Sequence, residues 1–517
     1  MIIETLLALT LIGSFVVFLA PDEYAGRLAF LASLVPLAGS GWMYSQFDGT
    51  GNALLGGSLA FEEEVAWAVL EPYSIHWHVG VDGISLPLVI LTTVLTTVAI
   101  VSAWTPIDER QSQFYGLVLF METALLGVFT ALDFIVWFVF WEAVLVPMYF
   151  LIGVWGGPRR KYAAIKFFVY TNVASLVMFI GFVALVFGLG DAVTSFDLPA
   201  IAQALAVQDV EPDAYAGVVG PETLKLLAFV AMFAGFAVKV PAVPVHTWLP
   251  DAHVEAPTPA SVLLAGVLLK MGTYALLRFN FTMLPDVAQD LAVPIAVVAV
   301  LSVLYGAVLA LAQQDLKRIV AYSSISSMGY VILGLVAFTV YGMGGATFQM
   351  VSHGLISGLM FMVVGVIYNE THTRMVGDMS GVADRMPVTA GVFVAGAFGY
   401  MGLPLMSGFA AEFFVFVGSF GAAALPASKV FTAVAMFGIV VVAGYLLFAM
   451  QRTLFGPFEL ETDYEIGRAP MQDVLPLFAL LALIVILGVA PEAFFGMIRD
   501  SVEPLFDTTA LALGGGA

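Results

Sequence analysis

The amino-acid sequence predicts an all-α polytopic membrane protein of about 14 transmembrane helices, built as two inverted five-helix repeats with broken helices 7 and 12. Three observations predict it. Of the 517 residues, 61% are hydrophobic and only 11% charged, with a mean hydropathy of +0.99; a chain in water would have to expose large apolar patches to carry that balance. The second observation is a succession of apolar runs, each long enough to cross about 30 Å of hydrocarbon at about 1.5 Å per residue. The third is a pair of proline-punctuated breaks, five runs apart.

The early runs cover residues 2–20, 26–45, 83–105, 112–131, 134–155, 163–189 and 224–244. The later ones cover 257–279, 290–313, 317–339, 343–369, 388–420, 429–455 and 472–498. The first run has no basic residue ahead of it and no small-residue cleavage site before Asp22-Glu23, so it is expected to be a retained helix and not a cleaved signal. The organisation expected from these runs is spans 1–3 with an acidic connection in 1–111, a five-helix repeat of spans 4–8 in 112–279, a second of spans 9–13 in 280–455, and span 14 with a tail in 456–517. The largest connections are 46–82 and 190–223, and no strand pattern is expected.

The basic residues set an orientation. Arg27, Arg110, Arg159, Arg160, Lys161, Lys166, Lys317, Arg318, Arg374, Arg385, Arg452 and Arg468 share one side on this span count, and only Lys225, Arg278, Lys429 and Arg499 lie near the other. The basic excess belongs inside, which puts both termini outside. Asp48, Glu62, Glu63, Glu64, Glu71 and Asp82 then form an outer acidic segment.

Composition also excludes chemistry. With no cysteine in the chain, disulfides, thiolate metal sites, iron–sulfur clusters and catalytic thiols are all ruled out. The formal net charge of -20 makes nucleic acid an unsuitable partner and fits a halophile source, where high salt screens self-repulsion.

Two runs break their own helices. The seventh contains Lys239-Val-Pro241-Ala-Val-Pro244, and the twelfth contains Gly402-Leu-Pro404-Leu-Met-Ser-Gly408. Interrupted helices at membrane depth are tolerated where they line protein or water. A matched pair is the pattern of inverted-repeat transporters.

An ionised side chain at the bilayer centre costs at least about 2.5–3.5 kcal/mol, so each one requires a reason. Glu122 lies in the fourth run, Glu142 in the fifth, Lys239 at the seventh-run break, Lys270 in the eighth, His353 in the eleventh and Glu412 after the twelfth-run break. Glu142 and Lys239 suggest an ion pair that can open and close, changing proton affinity as it does so. A static pair fixing helix packing is the plainer reading of any one of these. Glu142, Lys239, Lys270, His353 and Glu412 together, spread over five spans, favour a proton path. Lys270 is too deep to snorkel, and His353 can both donate and accept. The segment from His246 through Asp251, His253 and Glu255 to Pro257 has the residue types of a metal site but lacks helical HExxH spacing. It is expected to be an inner-side connection lining proton uptake, with no metal in the chain. The hydroxyls of Tyr322-Ser-Ser-Ile-Ser-Ser327 could carry water between sites or serve as small packing residues.

Phe140-Trp-Glu-Ala-Val-Leu-Val-Pro-Met-Tyr-Phe150, Ala237-Val-Lys-Val-Pro-Ala-Val-Pro-Val-His-Thr-Trp-Leu-Pro-Asp-Ala-His253, Ala256-Pro-Thr-Pro through Lys270-Met-Gly272, and Gly408-Phe-Ala-Ala-Glu-Phe413 resemble the signature stretches of the antiporter-like, proton-translocating membrane subunits of complex I-type NADH:quinone oxidoreductases. Glu412, where related subunits usually place lysine, and a chain that stops soon after the fourteenth run point within that family to the M type, similar to mitochondrial subunit 4. The resemblance implies Glu142 and Lys239 as a paired switch, Lys270 as the central relay, His353 as the connecting group and Glu412 as the site of release or onward transfer. One departure is Ser327, at a position often histidine in the family.

What the resemblance implies about function is a non-redox translocase subunit, in the cell membrane, that moves protons while quinone is reduced elsewhere. Flavin, iron–sulfur clusters and quinone are expected in other subunits, and none in this chain, where no GxGxxG follows a strand. Its partners would be homologous antiporter-like and other membrane-arm subunits, the lipid bilayer and protons. The alternative is a subunit of a multisubunit cation/proton antiporter, or of a ferredoxin- or hydrogenase-linked pump of the same fold.

Overall fold

The computed structural model describes residues 1–213, 219–462, 464, 466, 467 and 469–506. Arg468 of the orientation count and the tail from 507 onward lie outside the described residues.

Among the described residues, thirteen helices are long and apolar enough to cross a membrane: Ile2–Leu19, Asp22–Ser45, Ser85–Ser102, Gln111–Thr130, Phe134–Trp155, Arg160–Gly188, Pro221–Lys239, Thr258–Thr282, Ala292–Leu311, Leu316–Val336, Val340–Thr371, Ser428–Thr453 and Met471–Val489. Two half-helices, Pro387–Tyr400 and Ser407–Phe420, together supply the twelfth. Every expected span therefore has a helical counterpart. Local chemistry starts several of them. The Asp133 carboxylate accepts the N–H groups of Ile135 and Val136, Asp315 accepts those of Lys317 and Arg318, and Thr339 accepts that of Gly342. Each satisfies donors that a helix start leaves free.

The eighth, tenth and eleventh spans are enclosed along nearly their whole lengths, whereas the first, second and fourteenth show most of their surface. The apolar side chains Ile12, Phe15, Val173, Ile180, Phe437 and Val440 are exposed on the outside of the bundle, which suits a lipid solvent as apolar as they are. Lipid supplies no hydrophobic drive between helices, so close packing has to hold them. At Gly306 in the ninth span, an added Cβ would lie 2.7 Å from the Ser326 backbone nitrogen; at Gly329 in the tenth, it would lie 2.6 Å from the Ala299 carbonyl. Only glycine lets these two backbones approach.

Helix contacts recur at an interval of five spans. The fourth span contacts the fifth and eighth, and the sixth contacts the seventh. Five spans later the ninth contacts the tenth and thirteenth, and the eleventh contacts both halves of the twelfth.

The connections gather at two ends. At one, Gly157 N–H donates to the Glu255 carbonyl, Arg374 pairs with Asp315, and Thr105 Oγ1 donates to Asp473. At the other, Arg278 pairs with Asp82, Asn52 donates to the Ser501 carbonyl, and the N-terminus pairs with Glu63.

The structure corrects the sequence expectations at three places. The 46–82 connection contains an antiparallel hairpin of β1 (Ala60–Leu70) and β2 (Tyr73–Val81), although no strand was expected. Its alternation is interrupted by the acidic run Glu62-Glu63-Glu64, a weak signal beside helices of about 20 apolar residues. The 246–257 segment, expected as a connection, carries the helix Trp248–Glu255, the second half of the broken seventh span. The fourteenth run divides into Met471–Val489 and a separate helix, Glu492–Val502, with Ala490-Pro491 between them.

Candidate functional site

The helix break after Lys239 frees backbone groups that must find other partners. The Trp248 indole N–H donates to the Val238 carbonyl at 2.8 Å, and Val243 N–H donates to Ser302 Oγ at 3.0 Å. These bonds hold Lys239 at the break. Its side chain is 2% exposed, its ammonium has no hydrogen-bond partner among the described residues, and it lies 4.6 Å from the centre of the Trp141 ring. Glu142, next along the fifth span, is the acid whose charge acts on Lys239. The two make no direct ion pair. Glu142 Oε2 instead accepts from Asn172 at 3.2 Å, and its Oε1 is unpartnered. Trp141 is fixed by its indole N–H, which donates to Ser175 Oγ at 2.9 Å. The arrangement is a charge pair in electrostatic range with the face of an aromatic ring beside its cation, an attractive contact in its own right.

The eighth span winds through a π-helical turn at Leu264–Leu268 immediately before Lys270, a distortion frequent at functional sites. The Lys270 ammonium donates to the Ala265 carbonyl of that turn and lies 2.6 Å from His353 Nδ1. The other ring nitrogen of His353 has no partner, and the ring meets the Tyr400 ring edge-on at 5.9 Å. His253 is fully buried nearby, with neither ring nitrogen partnered and its ring stacked on Phe361 at 4.3 Å. It is in electrostatic contact with Lys270, His353 and Lys317. Lys317 is also buried and donates to the Ala256 carbonyl.

Beyond His353, the Tyr400 hydroxyl is near Ser323, Ser324 and Ser357 and the Tyr445 hydroxyl is near Ser323, but both hydroxyls are buried without a hydrogen-bond partner among the described residues. Tyr330 and Tyr445 both sense the charge of Glu412. Glu412 is 6% exposed and its Oε2 has no hydrogen-bond partner. Gly402 in the twelfth-span break, at φ +63°, packs so closely on that oxygen that a Cβ would collide with it. The hydroxyls leading toward Glu412 therefore come from Ser323 and Ser324, and not from Ser327.

Of the residues singled out in the sequence, Lys270 and His353 are in contact, Glu142 and Lys239 face one another without pairing, and Glu412 stands at the far end of a hydroxyl-lined stretch. Glu122 is fully buried with both oxygens unpartnered. The metal-like segment disperses its ligands: Asp251 pairs with Lys166 at 2.7 Å, Glu255 accepts from Arg159 N–H at 2.8 Å, His246 packs on Tyr305, and His253 points into the core. Sequence reasoning missed Lys317, counted only as a basic residue near a membrane edge, and the hydroxyls of Tyr330, Tyr400 and Tyr445. It placed His253 in a connection lining proton uptake, whereas the ring is buried in the core beside His353. A tyrosine in an apolar run gives no sign of whether its hydroxyl meets a polar neighbour.

Comparison with known proteins gives a consistent result. Residues 131–442 match the family described as NADH:quinone oxidoreductase/Mrp antiporter, transmembrane. The chain is 39% identical over 506 residues to NADH-quinone oxidoreductase subunit M of Rhodobacter capsulatus, covering 96% of this chain and 93% of that one. It is 38% identical over 503 residues to F(420)H(2) dehydrogenase subunit M of Methanosarcina mazei, covering 95% of each. In the structure of respiratory complex I from Thermus thermophilus with bound NADH, one chain superposes with a TM-score of 0.84 at 25% identity, over 98% of this chain and 99% of that one. The M-type resemblance is thereby borne out. Breaks in the seventh and twelfth spans, buried charges at both and a match over most of the length all lead to one assignment: the chain belongs to the NADH:quinone oxidoreductase/Mrp antiporter transmembrane family.

Proposed function

We propose that this chain is a proton-translocating membrane-arm subunit of a respiratory NADH:quinone oxidoreductase-like complex, a non-redox part of a translocase. The observation that carries the reading is the hydrogen-bonded Lys270–His353 pair in a fully buried position, flanked by Lys239 with Glu142 on one side and the tyrosine–serine stretch to Glu412 on the other. Two bases at 2.6 Å share one proton readily and two at high electrostatic cost, so a charge arriving at either neighbour changes which of them holds it. Opening the Glu142–Lys239 pair supplies such a charge. Glu142, Lys239, Lys270, His353 and Glu412 form the path, with hydroxyls and water bridging where side chains do not touch.

On this reading flavin, iron–sulfur clusters and quinone belong to other subunits, and the driving reaction is quinone reduction there. Homologous antiporter-like subunits lie against it in the membrane. The chain sits in the cell membrane with both termini outside, as the basic residues at the opposite end support.

A second reading, a pump of the same fold driven by another electron donor, is favoured by the F(420)H(2) dehydrogenase relative, as similar as the NADH-type one. Both readings are tested by Lys270→Met in the assembled complex, measured by donor-coupled proton uptake in membrane vesicles. Pumping should collapse with the complex still assembled, and undiminished pumping would refute the path. The donor is settled separately, by comparing NADH with other reductants on the parent complex.

A further inference from the structure

The hairpin end of the molecule carries a cluster that the proton path does not use. On β2, alternation places His76 and His78 on one face, and β1 brings Glu64 directly opposite His78. His78 is 3% exposed, with Nδ1 at 2.6 Å from Asp197 Oδ1 and Nε2 at 3.2 Å from Glu62 Oε1. His76 Nδ1 lies 2.5 Å from Glu64 Oε1, and its Nε2 lies 3.0 Å from Ser74 Oγ. Asp197, on the connection after the sixth span, also caps the helix Leu198–Ala202 through Ala200 N–H. Asp133 stands alongside and accepts the His76 backbone N–H.

Among the described residues no lysine or arginine pairs with Glu62, Glu64, Asp133 or Asp197. Three carboxylates, Glu62, Glu64 and Asp197, thus share two imidazoles. One ligand atom each from Glu64, His78 and Asp197 lies within 4.8 Å of the others.

We propose that Glu64, His78 and Asp197 form a binding site for a divalent transition cation of the zinc class. One imidazole nitrogen with carboxylate oxygens suits such an ion, whose ligands stand at about 2.0–2.2 Å. Coordination requires Glu64, an exposed side chain on a strand, to move inward, and His78 Nδ1 and Asp197 Oδ1 to part from their 2.6 Å contact so that the ion stands between them. With the cation on the Nδ1 edge beside Asp197, the Nε2–H of His78 remains donated to Glu62. A carboxylate behind a ligating imidazole in this way fixes its tautomer and raises its basicity. His76 holds Glu64 from the other side. The bound ion would fasten the hairpin to the connection after the sixth span, two segments far apart in sequence. The alternative arrangement, a protonated His78 clasped by two carboxylates, takes up no metal.

The experiment uses the full-length chain, stripped with a chelator and titrated with Zn2+ against a chromophoric competitor. One equivalent per chain should bind, with X-ray absorption showing imidazole nitrogen and carboxylate oxygen around the metal. Glu64→Gln and Asp197→Asn should each weaken binding on the order of tenfold or more, the range by which even outer-shell partners act. Glu64 is exposed, so Glu64→Gln decides the matter if the Asp197 variant accumulates poorly. Absence of a stoichiometric site in the parent chain, or unchanged binding in Glu64→Gln, would overturn the proposal. Because the readout is binding and not pumping, its failure leaves the proton path untouched.

Discussion

Lys270 and His353 come from helices 83 residues apart in sequence, and their side-chain nitrogens meet at 2.6 Å in the buried centre of the bundle. No other contact joins two of the five ionisable groups picked out in the sequence. It sits between the seventh-span break, which holds Lys239, and the twelfth-span break, which packs on Glu412. The pair is expected to titrate as a unit. Lys270→Met should therefore abolish pumping, and His353→Ala should reduce it strongly at near-normal complex abundance, measured as proton uptake per assembled complex. Pumping unaffected by His353→Ala would remove the histidine from the path.

Glu142→Gln keeps the size of the side chain and its bond from Asn172 while removing titration. The complex should assemble at a normal level with impaired pumping. A purely structural charge pair behaves otherwise, since Lys239 would be left buried and uncompensated at about 3–5 kcal/mol. Poor assembly in the variant would thus favour a packing role.

At the hairpin end, the Arg278 guanidinium donates to Asp82 in a buried ion pair at 2.6 Å, with Asp82 also accepting the N–H groups of Ala53, Ile84 and Ser85. Burial opposes ionisation of Asp82, but Arg278 and these backbone donors outweigh it and hold its carboxyl below the usual range. A depressed folded pKa gives stability that is present above the unfolded value of about 3.9 and is lost as pH falls through the folded one. Asp82→Ala should lower abundance and thermal stability by about 3–5 kcal/mol, with pumping per assembled complex preserved. A variant as stable as the parent would show that the ion pair contributes nothing.

His78 responds to pH in the opposite sense. Burial disfavours its charged form, but Asp197 and Glu62 prevail and raise its pKa. Its contribution is full below the unfolded value of about 6.5 and disappears as pH rises through the folded value. In metal-free protein, amide exchange in β2 should accelerate over that interval, and His78→Ala should flatten the dependence. Equal exchange rates across the interval in the parent protein would disprove the linkage.

Orientation is open to a direct check. Lys161 and Glu63 lie at opposite ends of the bundle, and membrane-impermeant labelling should reach a cysteine placed at Glu63 from outside and one at Lys161 only after permeabilisation. The reverse pattern would invert the assignment of both termini.

Hydropathy sums over neighbours along one chain, and the lipid solvent, the order of spans and the broken seventh and twelfth helices were all legible in the sequence for that reason. So were Glu142, Lys239, Lys270, His353 and Glu412, because a charge in an apolar run stands out wherever it points. Tertiary structure alone decided which of them touch. Lys270 meets His353 because a π-helical turn and the packing of the eighth span on the eleventh aim both inward, whereas Glu142 turns to Asn172 and leaves Lys239 against Trp141. The depth of His253, the burial of Lys317 and the facing hydroxyls of Tyr400, Tyr445 and Ser323 depend on the rotation of whole helices, to which local composition is indifferent. The hairpin escaped for a related reason: the acids and histidines of β1 and β2 look like a solvated connection until pairing sets His78 against Glu64 and the fold brings in Asp197 from beyond the sixth span.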